Sequence, residues 1–270
     1  PLYGGTFIDC TFGQGGYSKE ILKNSKNKVV AIDRDKESLV EAAKIKKNFK
    51  KRFNFENIKF SQINKLKINK ENVRAIIFDL GYSLNQIKDH NKGLSFSSKG
   101  SLDMRMGINN FSAADVINKL SEQSIEKIFK HFGEEQKSKQ IAKAVVFQRK
   151  KKEIKTQDLV KIIDSIKQRK KSKIHNSTKV FQALRIFVNK EISELIYGLI
   201  NSFEILPVGG MFVIITFHSI EDRIVKFFLK NYSQTKNSSR YLPENIQVEK
   251  LFNLIEKKPL LPKEKELKKN

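Results

Sequence analysis

A short apolar segment, Phe7-Ile8-Asp9-Cys10-Thr11-Phe12, runs straight into Gly13-Gln14-Gly15-Gly16 and then into a helical stretch, Ser18 to Asn24. Strand, glycine-dense turn and helix in that order commit the start of the chain to a unit whose turn lets a ligand approach the backbone. Glycine has no Cβ and tolerates positive φ, and the helix that follows opens with unpaired N–H groups. The next apolar run, Val29-Val30-Ala31-Ile32, leads into Asp33, 17 residues after Gly16. An acid at that place can hold the two hydroxyls of an adenosine ribose.

The same alternation continues through the first 80 residues. Strands are expected at Thr6–Cys10, Lys28–Ile32, Ile58–Ser61 and Ala75–Leu80, with a helix over Lys36–Lys47 capped by Asp35. Such alternation, with ligand turns at strand ends, means a doubly wound parallel sheet. From Ser112 to about Lys173 the strand-like runs stop. Helical spacing takes over at Ala113–Leu120, Gln123–His131, Glu135–Arg149 and Thr156–Ile166. One long amphipathic helix is expected from Thr178 to about Leu206, ended by Pro207-Val208-Gly209-Gly210. An apolar strand, Met211–Phe217, a helix, Ile220–Lys230, and a weaker strand, Phe252–Glu256, then resume the sheet. The expected division is a first core segment (1–108), a helical insertion (109–176) and a second core segment (177–270).

Composition limits the function classes. The single cysteine, Cys10, excludes an intramolecular disulfide and a cysteine-built zinc cluster, which fits a reducing cytoplasm; no metal is expected. No stretch of about 18 apolar residues is present, so no membrane partner is expected. Fifty-three basic against 29 acidic residues give a net charge of +24. That excess favours a polyanionic partner, because phosphate neutralisation releases counterions. A base-composition bias toward lysine, isoleucine and asparagine codons would also produce it, since only nine of the 53 are arginine. The densest charge, Arg149-Lys150-Lys151-Lys152 and 167–173, falls in the helical stretch.

Gly13-Gln14-Gly15-Gly16 is neither the Gly-x-Gly-x-x-Gly turn of dinucleotide enzymes nor a lysine-bearing phosphate loop. Four further features lean toward S-adenosylmethionine. Asp9, ahead of the glycines, can order the loop and face a cationic methionine end. Asp33 can take the ribose. Gln62-Ile63 can flank an adenine. Asp79, in Phe78-Asp79-Leu80-Gly81-Tyr82-Ser83, ends the fourth strand at the crevice where cofactor and substrate would meet. Each acid singly also reads as a strand-end turn or a helix cap.

Asp9-Cys10-Thr11-Phe12-Gly13-Gln14-Gly15-Gly16-Tyr17-Ser18, Ala31-Ile32-Asp33-Arg34-Asp35 and Asp79-Leu80-Gly81 are not isolated. Gly93-Leu94-Ser95-Phe96, Leu102-Asp103-Met104-Arg105-Met106, Gly133-Glu134-Glu135, the stretch Phe181 to Asn189, and Phe217-His218-Ser219-Ile220-Glu221-Asp222-Arg223 follow in order. Together they resemble the RsmH/MraW family across essentially the whole chain. The resemblance implies an α/β fold, a class I S-adenosylmethionine-dependent methyltransferase with a Rossmann-like parallel sheet and an inserted all-helical domain. It implies methylation of N4 of a cytosine in the decoding region of 16S ribosomal RNA, with the small ribosomal subunit as partner. Carried over by motif, the cofactor contacts fall on Gly15, Gly16, Tyr17, Asp33, Ile63, Asp79 and Gln86. Tyr17 stands where the family typically has histidine, and Ser83-Leu84-Asn85-Gln86 replaces its usual Ser-Ser-Pro-Gln. Both ends are expected to be short of the family pattern.

A cytosine amine is a poor nucleophile but needs no cysteine adduct, so Cys10 reads as packing. The site must instead align the nitrogen and accept a hydrogen bond from it. Asp79 is the expected acceptor, with His218 as a substrate or proton-handling group. Tyr82 is a candidate for base stacking by a loose echo of Asp-Pro-Pro-Tyr loops. Phe96, Asp103 and Arg105 lie in a long loop read as a lid over the target base, Arg105 either pairing with Asp103 or meeting phosphate. Two other readings remain open at this level: an amino methyltransferase acting on DNA or another RNA, and a non-catalytic RNA-binding or ribosome-assembly protein that keeps the fold.

Overall fold

The computed structural model describes residues 4–81, 92–98, 100–107, 109–167, 175–233, 251–256 and 258–262. They fall into two compact units, Pro1–Phe217 and His218–Asn270. The first holds a five-stranded, wholly parallel sheet in the order β3-β2-β1-β4-β5. Its strands are β1 (Gly5–Asp9), β2 (Asn27–Ile32), β3 (Phe53–Glu56), β4 (Val73–Asp79) and β5 (Met211–Ile215). β1 lies at the centre, and the chain winds outward from it in two directions. The crevice at the carboxyl ends of β1 and β4 is therefore the switch point of the sheet.

β1, β2 and β4 read as nearly unbroken apolar runs because helices cover both of their faces. Ile8, Ile32, Ile76 and Phe78 are completely buried, and each such side chain contributes about 1.5–3 kcal/mol. Helix α1 (Gly16–Leu22) follows β1, and α2 (Ser38–Phe49) follows β2. Phe12 packs against Phe53 and Phe55 of β3 at ring distances of 5.8 and 5.2 Å.

The third strand is not Ile58–Ser61 but Phe53–Glu56, registered Val29↔Phe53 to Ile32↔Glu56. Phe53-Asn54-Phe55-Glu56 alternates as an edge strand should, but the cluster Lys50-Lys51-Arg52 in front hides it. Phe60–Lys65 forms a 3-10 turn instead. Asp35 does not cap α2 from its first position: its carboxylate accepts from the Glu37 N–H at 3.1 Å, and the helix starts at Ser38.

Between β4 and β5 every described regular element is helical. α3 (Ala113–Lys119), α4 (Glu122–Gly133), α5 (Ser138–Arg149), α6 (Thr156–Ile166) and α7 (Thr178–Asn189) share one core that includes Leu102 and Met104. Ser112 and Asp115 close a capping box at the start of α3. Gly133 is required by close approach: a Cβ there would sit 2.4 Å from the main-chain oxygen of Lys179 on α7.

The expected single helix from Thr178 to Leu206 is two. Lys190, at φ 53°, breaks it into α7 and α8 (Glu191–Phe203). Both halves bury an apolar stripe, so the periodicity runs across the break. α7 joins the helical core, whereas α8 packs on the 3-10 turn Phe60–Lys65: Asn201 Nδ2 donates to Ser61 O at 2.6 Å, and Gly198 leaves room for Phe60.

The second unit contains α9 (Ser219–Ser233). The N–H groups of Leu251 and Phe252 both donate to Tyr232 O, at 2.9 and 3.0 Å, and Phe252 packs on Phe228 and Tyr232. Residues 251–256 form no strand. Among the described residues no helix is long and apolar enough to cross a membrane.

Candidate active site

Three acids stand at or just past the carboxyl ends of neighbouring strands: Asp33 after β2, Asp9 on β1 and Asp79 on β4. The register places Asp9 opposite Ala31 on one side and Ile77 on the other. Backbone bonds beyond the strands tighten the rim, Cys10 N to Ile77 O at 2.9 Å and Phe12 N to Ile32 O at 3.1 Å. Cys10 itself is buried, and burial pushes its thiol up, which makes it packing rather than a nucleophile.

Asp9 is fully buried. Its carboxylate accepts from the Ser18 hydroxyl at 2.7 Å and from the Thr11 N–H at 3.4 Å. Burial raises its pKa to about 6, those two bonds oppose the rise, and the charges of Asp33 and Asp79 add to it. Asp9 therefore ties the start of α1 to β1 and shapes the turn.

Asp33 holds the turn from the other side. One carboxylate oxygen accepts from Gly13 N and the other from Asp35 N, both at 2.8 Å. Asn57 Nδ2 donates to its main-chain oxygen at 2.7 Å. Burial raises the Asp33 pKa, and the bonds to its carboxylate from Asp35 N, Gly13 N and the Ser38 side chain counter it. A carboxylate offers about four lone-pair positions, so acceptor capacity remains after the bonds from Gly13, Asp35 and Ser38 are made.

Asp79 presents its N–H to the Thr11 hydroxyl at 2.7 Å. Among the described residues its Oδ1 is buried without a hydrogen-bond partner, and burial raises its pKa. An orphaned carboxylate oxygen is costly unless something else completes it. Gly81, two residues on, has φ 115°, and a Cβ there would come within 3.2 Å of the Phe217 ring.

The two glycines of the turn have different reasons. Gly15 sits at φ 73° at the N-cap of α1, where a Cβ would lie 2.6 Å from Ile45 Cδ1. Among the described residues Gly16 has nothing within 4 Å of a Cβ position, so its lack of a side chain leaves space open. Tyr17 is 39% exposed, and its phenol pKa is raised by burial and then by the charges of Asp79 and Asp9, which places it among the acids. Ile63 is completely buried and anchors the 3-10 turn inward. Tyr82 and Gln86 lie outside the described residues.

The loop after β4 is pinned to the helical core. Phe96 stacks on His175 at 4.1 Å and meets Phe181 edge-on, while Gln157 Nε2 donates to the main-chain oxygens of Phe96 and Ser98. Of the two expectations for Arg105, the structure shows the pairing: its Nε and Nη2 both bond the Asp103 carboxylate, Nη2 at 3.0 Å. The Asp103 main-chain oxygen accepts from Ala113 N at 2.9 Å, which fastens the pair to the start of α3.

His218 opens the second unit and acts within it as the start of α9. Its Nδ1 accepts from Glu221 N at 3.4 Å, its main-chain oxygen accepts from Asp222 N, and its Nε2 lies 3.1 Å from Glu221 Oε1. Glu221 and Asp222 suit the positive end of that helix.

Sequence reasoning passed over Thr11, Ser18, Arg34 and Asn189. The first two were legible as the fixed hydroxyls inside the glycine motif; the others become visible only once distant segments meet. It noted the charge of Arg149-Lys150-Lys151-Lys152 but not Phe147 on α5, which is exposed together with Lys139 and Lys143 of the same helix. The Phe147 ring is 59% exposed, with Lys151 Nζ 5.1 Å from its centroid.

Comparison with known proteins adds an independent line. The model of a family described as the MraW methylase family matches residues 2–270. A protein of Ehrlichia canis named ribosomal RNA small subunit methyltransferase H is 40% identical over 275 residues, covering 100% of this chain and 90% of the relative. Proteins of the same name from Rickettsia akari and Afipia carboxidovorans are 39% and 38% identical, covering 100% of this chain and 89% and 82% of theirs.

Proposed function

This chain belongs to the MraW methylase family, and on that premise we propose that it methylates N4 of a cytosine in the decoding region of 16S ribosomal RNA, using S-adenosylmethionine. The observation that carries the reading is the row of three acids, Asp33, Asp9 and Asp79, around an open glycine turn at the switch point of a parallel sheet. The proposed substrate form is RNA of the small ribosomal subunit, in the cytoplasm. The proposed division of labour is a sheet that holds the cofactor and a helical insertion, about 109–176, that meets RNA.

The residues present fit that cofactor. Its positive charge suits buried carboxylates, its ribose hydroxyls suit the spare acceptor positions of Asp33, and the orphaned Asp79 Oδ1 has a donor to gain. Gly16 leaves the space that a bound group would occupy. Gly15, Tyr17 and Ile63 shape the surrounding walls, and Gln86 completes the proposed set. When bound, the cofactor supplies an electrophilic methyl on a cationic sulfur.

The chain's own part is alignment and proton handling. Asp79 Oδ1 accepts a hydrogen bond from the target amine and holds that nitrogen in line, and its raised pKa makes it a better proton acceptor than an exposed aspartate. Tyr82 and Phe96 are proposed to border the displaced base, with Asp103 and Arg105 bracing the loop. His218 is the proposed second proton-handling group. Lysines around Phe147 neutralise phosphates. Calorimetry tests the premise of the reading: S-adenosylmethionine should bind at one site per chain, and failure to bind would overturn it.

A further inference from the structure

Arg34 follows the ribose acid directly and leaves the sheet. Its Nη1 donates to the main-chain oxygen of Asn189 at 3.0 Å, and its Nη2 lies 3.4 Å from Met106 Sδ. Asn189, the last residue of α7, is 1% exposed. Its Oδ1 accepts from Met106 N at 2.7 Å and Asn109 Nδ2 at 3.1 Å; its Nδ2 donates to Met104 O at 2.8 Å and Arg185 O at 2.9 Å. Two donor and two acceptor positions are all the amide has, so every one is used.

The held segment is the one that carries Asp103 and Arg105. Met104 lies between them at φ 58°, completely buried, a left-handed conformation a non-glycine residue keeps only when its surroundings impose it. Gly107, at φ 75°, lets the loop pass so close to Arg34 that a Cβ would sit 2.9 Å from the Arg34 main-chain oxygen. The backbone and the side chain of one residue thus touch the same loop. A ligand on Asp33 acts one peptide bond from that contact.

We propose that Arg34 and Asn189 form a positioning clasp through which occupancy of Asp33 orders the loop carrying Asp103 and Arg105. Ligand binding at the end of β2 and order in that loop then share a coupling free energy, and each favours the other. This rests on the reading of Asp33 as the ribose acid of the cofactor site, and it concerns how the substrate side learns that the cofactor is bound. Arg34 and Asn189 are positioning residues; neither is placed against the reacting atoms.

Residue-resolved amide hydrogen exchange on the full chain, with and without S-adenosylmethionine, tests it. The Met104 and Met106 amides should exchange on the order of tenfold more slowly with the cofactor present. Arg34→Ala should abolish that slowing while calorimetry still finds the cofactor bound, weaker by no more than about the tenfold that the coupling is worth. Arg34→Lys, which keeps one donor, should restore part of it. Arg34 is chosen because Asn189→Ala strips four buried bonds and threatens the fold itself. Equal slowing in parent and Arg34→Ala, or none in the parent, would overturn the clasp. Loss of cofactor binding in Arg34→Ala would also overturn it, by putting Arg34 in the cofactor site. Cofactor-dependent slowing in a parent protein that methylates no ribosomal RNA would instead count against the proposed function and leave the clasp standing.

Discussion

The Thr11 hydroxyl accepts the main-chain N–H of Asp79 at 2.7 Å, joining the loop after β1 to the end of β4. This one bond sets where the Asp79 carboxylate stands relative to the glycine turn. Thr11→Val keeps the shape and removes the acceptor. Leaving the Asp79 N–H unmet should cost about 1–3 kcal/mol of stability in thermal denaturation. Methyl transfer should fall by at least about tenfold, as expected for a displaced aligning group. Thr11→Ser should retain both.

Gly15 and Gly16 should separate stability from binding. Gly15→Ala puts a Cβ into Ile45 at a positive φ and should lower the denaturation midpoint by the equivalent of about 1–3 kcal/mol. Gly16→Ala meets nothing among the described residues. It should leave that midpoint unchanged or raised, yet weaken S-adenosylmethionine binding in calorimetry by filling the open space.

Asp9 should make cofactor affinity depend on pH. Its pKa in the free protein is raised from the ordinary 3.8 to about 6 by burial. A cationic ligand favours the carboxylate form, so it binds more tightly once Asp9 is ionised. Affinity should therefore rise as pH goes up through 6 and be about tenfold lower at pH 5 than at pH 7.5. For folding the sign is reversed. The folded protein holds this proton more tightly than the unfolded chain, so the Asp9 contribution to stability of the free protein is full below about 4 and falls as pH rises to 6. Asp33 and Asp79, also raised by burial, act in the same direction. Calorimetric titrations at the two pH values check the binding half, and Asp9→Asn should flatten it.

Phe147 and its lysines should matter to RNA alone. Phe147→Ala combined with Lys151→Ala should raise KM for ribosomal RNA several-fold, by removing a stacking surface worth about 1–3 kcal/mol per base. Cofactor affinity and thermal stability should not change, since both side chains are exposed.

Much of the fold was legible because buried parallel strands and amphipathic helices print their period on the sequence. Asp9, Asp33 and Asp79 could be ordered along the crevice from strand ends alone. The edge strand Phe53–Glu56 escaped because only half of it is buried and a basic cluster precedes it. The break at Lys190 escaped because a left-handed residue between two helices leaves the apolar spacing intact. Asn189 escaped for a different reason: its role is made by Met104, Met106 and Arg34, which lie 83 to 155 residues away and share no periodicity with it.

The central claim is methyl transfer to a cytosine amine aligned by Asp79. Small subunits from a strain lacking the modification, incubated with the protein and S-adenosylmethionine, should yield N4-methylcytidine in the decoding region by nucleoside and fragment mass spectrometry. Asp79→Ala should yield none under the same conditions. Methyl groups on DNA but not on the subunit RNA, or unchanged product from Asp79→Ala, would contradict the account.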